Sequence, residues 1–462
     1  MHERLASSTG RLRYEPHLTG SSPWKSLLDE PLRSQALKAA FFVAERMRDL
    51  DFVEATAKQV AQQASYPIIW SASSLAYGCG SALMYGYFDS CFPEQGWDVP
   101  TQSYLSLVAS VTQQMGFLSP SLFGGASGIA LALVTASRRG RRYQKTLARL
   151  HQGINDQVLE HNWYRSEVDW GVADSDYDII SGASGILAYL VSTKQSDALV
   201  QSAIEHLLKY LTWLAKPGQV VGKERWYVPA SLFVTDAQRL AFPQGNFNCG
   251  LAHGMPGPLA ALALTSLAGY RYPGYRESIA YLSDWIIAHS VIETWGIDWP
   301  NMVPFESASN ADAWKSLPPT RSAWCYGAPG VSRALWLAGQ ALEDDNLLHV
   351  AVEAIESVLR KPVSQRHIPS PHICHGTAGL LQICLRFAHE SESALVKEHI
   401  PILVEQILDV FDPAFSLGFR DIDQGVPIDQ PAWLTGAPGI AMALLAASTP
   451  VEPSWDRVLA IA

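Results

Sequence analysis

A short glycine motif, repeated along most of the chain, limits its fold more than any other feature. Gly-x-x-Gly recurs at Gly125–Gly128, Gly182–Gly185, Gly254–Gly257, Gly327–Gly330, Gly376–Gly379 and Gly436–Gly439. A degenerate first copy starts at Gly78, with Ser81 in place of the second glycine. The seven first glycines are 47, 57, 72, 73, 49 and 60 residues apart. Such periods belong to solenoids and closed arrays. The stretch after each pair is apolar on every side, as in Ile129-Ala-Leu-Ala-Leu-Val134 and Ile440-Ala-Met-Ala-Leu-Leu445. A helix of that kind has to be buried. Between copies, residues 196–216, 349–361 and 393–411 place apolar residues at i, i+3, i+4 and i+7, the pattern of helices with one covered face. Each repeat is therefore expected to be an outer helix, a tight turn and a buried inner helix. An open solenoid would leave the wholly apolar helices uncovered. The expected fold is all-α: an α/α toroid of seven inner and seven outer helices.

Length alone suggests about three domains. Copies spread from residue 75 to 445 argue instead for one large toroid over 31–462, preceded by an N-terminal extension at 1–30. Two stretches break the helical pattern. Residues 217–248, rich in β-branched and aromatic side chains, read as a small strand-containing insertion on the rim. Trp226, Tyr227 and Phe233 within it are candidate apolar anchors for a peptide. Residues 293–320, with Trp295, Trp299, Pro300, Pro304, Pro318 and Pro319, read as a second long rim connection. No apolar run reaches the roughly 20 residues of a membrane span. The first ten residues lack the apolar core of a signal peptide. A cytoplasmic protein is expected, with its six cysteines reduced. A formal charge of −10 argues against a nucleic-acid partner.

Within the repeat frame, Cys325 and Cys374 both stand two residues before a first glycine. His253, Tyr326 and His375 stand one residue before it. If the turns share one geometry, these side chains emerge at one end of the molecule. Cys374 and His375 converge poorly within a helix, where neighbours point about 100° apart, but can share an ion at a turn entering one. With Cys325 from the preceding copy they make a three-ligand zinc set with an open fourth position, the mark of a catalytic site. Cys249, outside the frame, is the rival ligand. Cys79, Cys91 and Cys384 read as packing or surface residues. His253 fits a fourth ligand, an acid–base group or a core histidine. From the residues alone, Asp178, Arg321 and Tyr326 are ordinary paired or solvated groups.

The segments Gly250-Leu-Ala-His253-Gly254, Trp324-Cys325-Tyr326-Gly327 and Cys374-His375-Gly376, on a seven-fold glycine array, resemble the lanthionine synthetase C family from about Leu75 to Ala446. The resemblance implies the toroid and a zinc ion held by Cys325, Cys374 and His375. It maps the catalytic histidine onto His253, an aspartate onto Asp178, and the residues flanking the first zinc cysteine onto Arg321 and Tyr326. It also implies a small domain likened to an SH2 fold near 217–248. The activity implied is lanthipeptide cyclisation: Michael addition of a precursor-peptide cysteine to dehydroalanine or dehydrobutyrine, forming a (methyl)lanthionine thioether. A free thiol has a pKa of about 8.5, and coordination to zinc would ionise it. The chain has no room for a dehydratase beside the toroid. Its implied partners are therefore a dehydrated precursor peptide, a separate dehydratase and an export transporter, the last placing it at the membrane periphery. The alternative readings are a LanC-like protein that binds glutathione or peptide without cyclase turnover, and a zinc alkyltransferase. The alkyltransferase is disfavoured by Trp-Cys-Tyr-Gly.

Overall fold

The computed structural model describes residues 12–14, 23–65, 70–116, 118–164, 171–193, 198–218, 224–308, 310 and 320–462. Seven inner helices span Gly78–Cys91, Ala126–Thr135, Ala183–Ser192, Pro256–Leu267, Ala328–Leu342, Thr377–Glu390 and Ala437–Ser448. Each starts within two residues of the first glycine of its copy. The last of them is buried along its whole length. Seven outer helices, Leu32–Arg46, Asp98–Met115, Gln144–Glu160, Ala198–Leu214, Tyr275–Ala288, Asp345–Arg360 and Ala394–Leu408, pack around them, with Leu50–Gln63 as an addition. Their amphipathic pattern explains their place. Asp345–Arg360 buries Leu347, Ala351, Ala354, Ile355 and Val358, and the Asp344 carboxylate caps its start by accepting the Asn346 and Leu347 N–H groups.

The array is closed. Successive inner helices pack side by side, and the seventh packs on both the sixth and the first. A ring of backbone hydrogen bonds joins the turns at one end. Leu75 N–H donates to Phe123 O, Phe123 to Ile180, Ile179 to Ala252, Ala252 to Cys325, Cys325 to Cys374, Cys374 to Leu434, and Leu434 to Ala76, at 2.8–3.3 Å. Every acceptor is the residue two before a first glycine. The ring therefore sets those seven side chains around one axis.

The second glycine of each copy exists because the turn doubles back on itself. A Cβ at Gly185 would strike the carbonyl oxygen of Ile179, six residues earlier. The same clash recurs between Gly128 and Leu122, Gly330 and Trp324, Gly379 and Ile373, and Gly439 and Trp433. In the first copy Gly80, not the Ser81 position, opposes the corresponding carbonyl of Leu75. The motif is shifted by one residue there rather than lost. Gly185→Ala is expected to destabilise by about 1–3 kcal/mol, the usual cost of overpacking a closed site. Gly153→Ala, in an outer helix with open space around it, should instead stabilise by about 0.5–1 kcal/mol through helix propensity. Urea unfolding of the two variants should move the midpoint in opposite directions.

The other end of the barrel is filled by the chain itself. After the seventh inner helix, the 3₁₀ turn Ser454–Leu459 packs against the second and third inner helices. Trp455, Asp456, Val458, Leu459 and Ile461 are fully buried. The Trp324 indole N–H donates to Leu459 O at 2.9 Å, and Arg333 Nε donates to Ile461 O at 2.6 Å. Asp456 accepts from Gln382 and Arg386, both at 2.7 Å. Among the described residues, the C-terminal segment closes that end, and the cavity lies at the end carrying the hydrogen-bond ring.

Strands among the described residues are two or three residues long. Asn246–Asn248 pairs with Met302–Pro304, Val291–Glu293 with Gly296–Asp298, Asp421–Asp423 with Val426–Ile428, and Arg13–Tyr14 with Tyr270–Arg271, all antiparallel. The rim stretch at 217–248 contributes one strand, a bridge from Val228 to Asn246, and the helix Asp236–Ala241. Residues 219–223 of it lie outside the described residues, as do 309 and 311–319 of the second rim connection and most of the extension at 1–30. Trp226, Tyr227 and Phe233 are buried, which corrects their reading as open anchors. Trp226 packs edge-on against Tyr281 and Trp285 of an outer helix. Among the described residues of this stretch, the large apolar side chains exposed are Val234 and Leu240.

Candidate metal centre and cavity

The open end leads into a cavity of about 620 Å³. All seven ring residues line it: Ala76, Phe123, Ile180, Ala252, Cys325, Cys374 and Leu434. His253, Tyr326, His375 and Arg321 line it too, with Trp324 beside Cys325. Asp178 sits behind His253. Six of the seven residues singled out from sequence thus face one cavity, and the seventh supports one of them.

Cys325, Cys374 and His375 converge. Their ligand atoms all lie within 4.8 Å of one another. Two features of the turns bring this about. Cys374 and His375 precede the helix starting at Thr377, so neither is bound to helical side-chain directions. The hydrogen bond from Cys325 N–H to Cys374 O, 3.3 Å, brings the neighbouring turn alongside. Gly327, just after Tyr326, has φ +87, a left-handed conformation that few other residues adopt. The donor set suits a metal that takes thiolate and imidazole together, and tetrahedral bonds of about 2.3 Å to sulfur need donors about 3.8 Å apart. The thiols are already unequal. Cys325 is held well below its ordinary range, first by the hydrogen bond it receives from Cys374 and then, against the cost of burial, by His375 and the charge of Arg321. Cys374, the donor, is pushed up. The hydrogen bond between them favours one thiolate over two. Cys249 stands apart. It is buried, donates to Phe247 O, and has its pKa pushed up to about 12 by burial. Cys79 and Cys384 are buried thiols raised in the same way.

His253 Nδ1 lies 2.7 Å from Asp178 Oδ2. The other oxygen of Asp178 accepts the N–H groups of Ser181 and Gly182 at 2.7 and 2.8 Å, at the start of the third inner helix. The carboxylate is therefore fixed by its own turn. Its side chain is 3 % exposed, against 41 % for His253, so the imidazole reaches the cavity while its partner is sealed. Burial works against a charge on His253. The hydrogen bond and charge of Asp178, with Asp174 and Cys325, outweigh it and raise the pKa above its ordinary value. Arg321 is exposed to the cavity and has no hydrogen-bond or ion-pair partner among the described residues. The Tyr326 hydroxyl, its pKa raised by burial, accepts from Asn248 Nδ2 at 3.3 Å.

Several residues here are missed by sequence reasoning. Asn248 also donates to Asp174 Oδ2 at 3.2 Å, linking Tyr326 to the acidic group beside His253. His372 and Asp421 lie behind His375. Asp174 had one available signal: it lies four residues before Asp178, one helical turn away.

A family model described as lanthionine synthetase C-like protein matches residues 70–460. The nisin biosynthesis protein NisC of Lactococcus lactis subsp. lactis is 28% identical over 328 residues, spanning 69% of this chain and 75% of that protein. Among solved structures, a nisin cyclase superposes with a TM-score of 0.72 at 23% identity, over 88% of this chain and 96% of that one. That likeness is one of fold. Among the described residues no helix is long and apolar enough to cross a membrane.

Proposed function

The chain belongs to the lanthionine synthetase C-like family, and from that premise we propose that it is a zinc-dependent lanthipeptide cyclase. Its substrate would be a precursor peptide carrying cysteines and dehydroamino acids, supplied by a separate dehydratase and passed to an exporter. The observation that carries this reading is the meeting of Cys325, Cys374 and His375 in one cavity with His253 and Arg321. Zinc held by Cys325, Cys374 and His375 would keep a substrate thiol ionised at neutral pH.

The chain's own residues account for the rest. As sulfur bonds to the β-carbon, the Cα=Cβ electron pair moves toward the adjacent carbonyl and an enolate develops. The Arg321 guanidinium, without an ion-pair partner among the described residues, faces the cavity and offsets that charge. Asp178 occupies His253 Nδ1, which leaves Nε2–H as the proton donor to the α-carbon. The thiol proton lost equals the proton gained, so the reaction is an isomerisation. Mass alone will not report it. Alkylation of remaining thiols in a dehydrated precursor will. Thiols should disappear only with the protein present, and a chelator should block their loss. If every thiol stays alkylatable while the peptide binds, the protein is a binding module.

The Asp178–His253 pair makes a pH prediction. With its pKa raised, His253 stays protonated to higher pH, and cyclisation falls as pH climbs through that value. Asp178→Asn removes the two largest raising contributions and leaves only those of Asp174 and Cys325 against burial, which lowers the pKa. The alkaline limb of the pH–rate profile should move to lower pH in that variant. An unmoved limb would assign it to another group.

A further inference from the structure

We propose that His372 and Asp421 form a positioning pair that holds His375 in place for the metal. The inference rests on the reading of Cys325, Cys374 and His375 as zinc ligands. His372 is fully buried in the turn just before Cys374. Its ring meets the His375 ring edge to face, with centroids 4.3 Å apart and planes at 88°. His375 N–H donates to His372 Nδ1 at 3.4 Å. An accepting Nδ1 carries no proton, so the neutral ring has its proton on Nε2. That atom lies 3.3 Å from Asp421 Oδ1, within ion-pair distance but not aligned as a hydrogen bond. The carboxylate is itself held, because Oδ1 accepts Ser370 Oγ–H and Ile422 N–H, each at 2.7 Å.

Asp421 comes from the strand Asp421–Asp423, between the last outer helix and the last inner helix. The sixth turn is thus braced from the seventh repeat through one buried imidazole. A fully buried imidazole is costly to keep, and an apolar side chain would fill the same space; what the ring gains here is the His375 N–H on Nδ1 and the nearby charge of Asp421. Carboxylate–imidazole pairs behind metal ligands orient those ligands, and losing one typically costs about 10–100-fold in metal affinity. Here the contact is to the ring and backbone N–H of His375. The pair therefore acts on the loop and ring orientation rather than on a ligand's second nitrogen.

The test is zinc affinity of the purified full chain by chelator competition, with the visible spectrum of the cobalt-loaded protein as a second readout. His372→Phe keeps an aromatic ring against His375 but removes both nitrogens. It should weaken zinc binding about 10–100-fold and alter the cobalt spectrum. Asp421→Asn should weaken it too, and the double variant should lose little beyond the single ones, since the residues act as a unit. His372→Asn, whose amide oxygen stands near the Nδ1 position but which has nothing to meet Asp421, should recover only part of the loss. Folded His372→Phe and Asp421→Asn proteins with wild-type zinc affinity and cobalt spectrum would overturn the proposal while leaving the metal assignment standing. A wild-type chain that binds no zinc would overturn both.

Discussion

Cys374→Ala is expected to leave a folded protein that binds no zinc and closes no rings. Truncating one half-buried thiol costs about 1 kcal/mol of burial, small beside a core that includes Trp97, Trp324, Trp433 and Trp455 at 1 % exposure or less. The ring bond from Cys374 N–H to Leu434 O is made by the backbone and survives the substitution. Zinc, by contrast, would be left with Cys325 and His375, two donors where a stable site needs three. Elemental analysis should fall from one zinc per chain to near none while the far-ultraviolet circular dichroism is unchanged. Full zinc in the variant would remove Cys374 from the ligand set and with it the account of thiol activation.

His253→Asn should give the opposite combination: full zinc and very little turnover. His253 is tied to Asp178, and the three converging ligand atoms do not include its own. The metal should therefore stay. Were His253 a fourth protein ligand, no position would remain for a substrate thiol. Losing a general acid typically slows a reaction about 10²- to 10⁴-fold. Asparagine preserves an amide partner for Asp178, so the loss should fall on rate rather than on precursor binding. Alkylation time courses beside zinc analysis separate the two roles. A variant that loses its metal would make His253 a ligand.

The legible part of the sequence is the part that repeats. Apolar runs after each glycine pair must be buried, and seven of them cannot all be buried in an open array. Cys325 and Cys374 share a frame position, so the repeat itself brings them together. Features outside the frame are not legible. His372 reads as one more polar residue beside proline. Its contact with Asp421 spans 49 positions, and the sequence carries no register for that distance. Trp226, Tyr227 and Phe233 mislead because aromatic composition signals burial and binding alike. The packing decides between them: Trp226 against Tyr281 and Trp285 of an outer helix, Tyr227 against Phe247 and Phe305, and Phe233 against Phe242. Nothing in Ser454–Ile461 says that this segment turns into the lumen. Ser81 reads as a defect in the motif until Gly80 is seen to oppose the Leu75 carbonyl.

Closure also decides what faces what. Along the chain, the reactive side chains occupy consecutive copies: His253 in the fourth, Cys325 and Tyr326 in the fifth, Cys374 and His375 in the sixth. The remaining copies offer Leu434, Ala76, Phe123 and Ile180 to the same cavity. In a linear array the first and seventh copies would stand at opposite ends of a rod, and a substrate at the sixth could not also meet the first. The hydrogen bond from Leu434 to Ala76 bends that rod into a circumference. The cavity becomes a two-sided chamber with a reactive arc across from an apolar wall. A peptide segment entering it would be pressed against the proposed metal and acid–base groups on one side by greasy side chains on the other. The fold thereby turns sequence order into opposition across a gap.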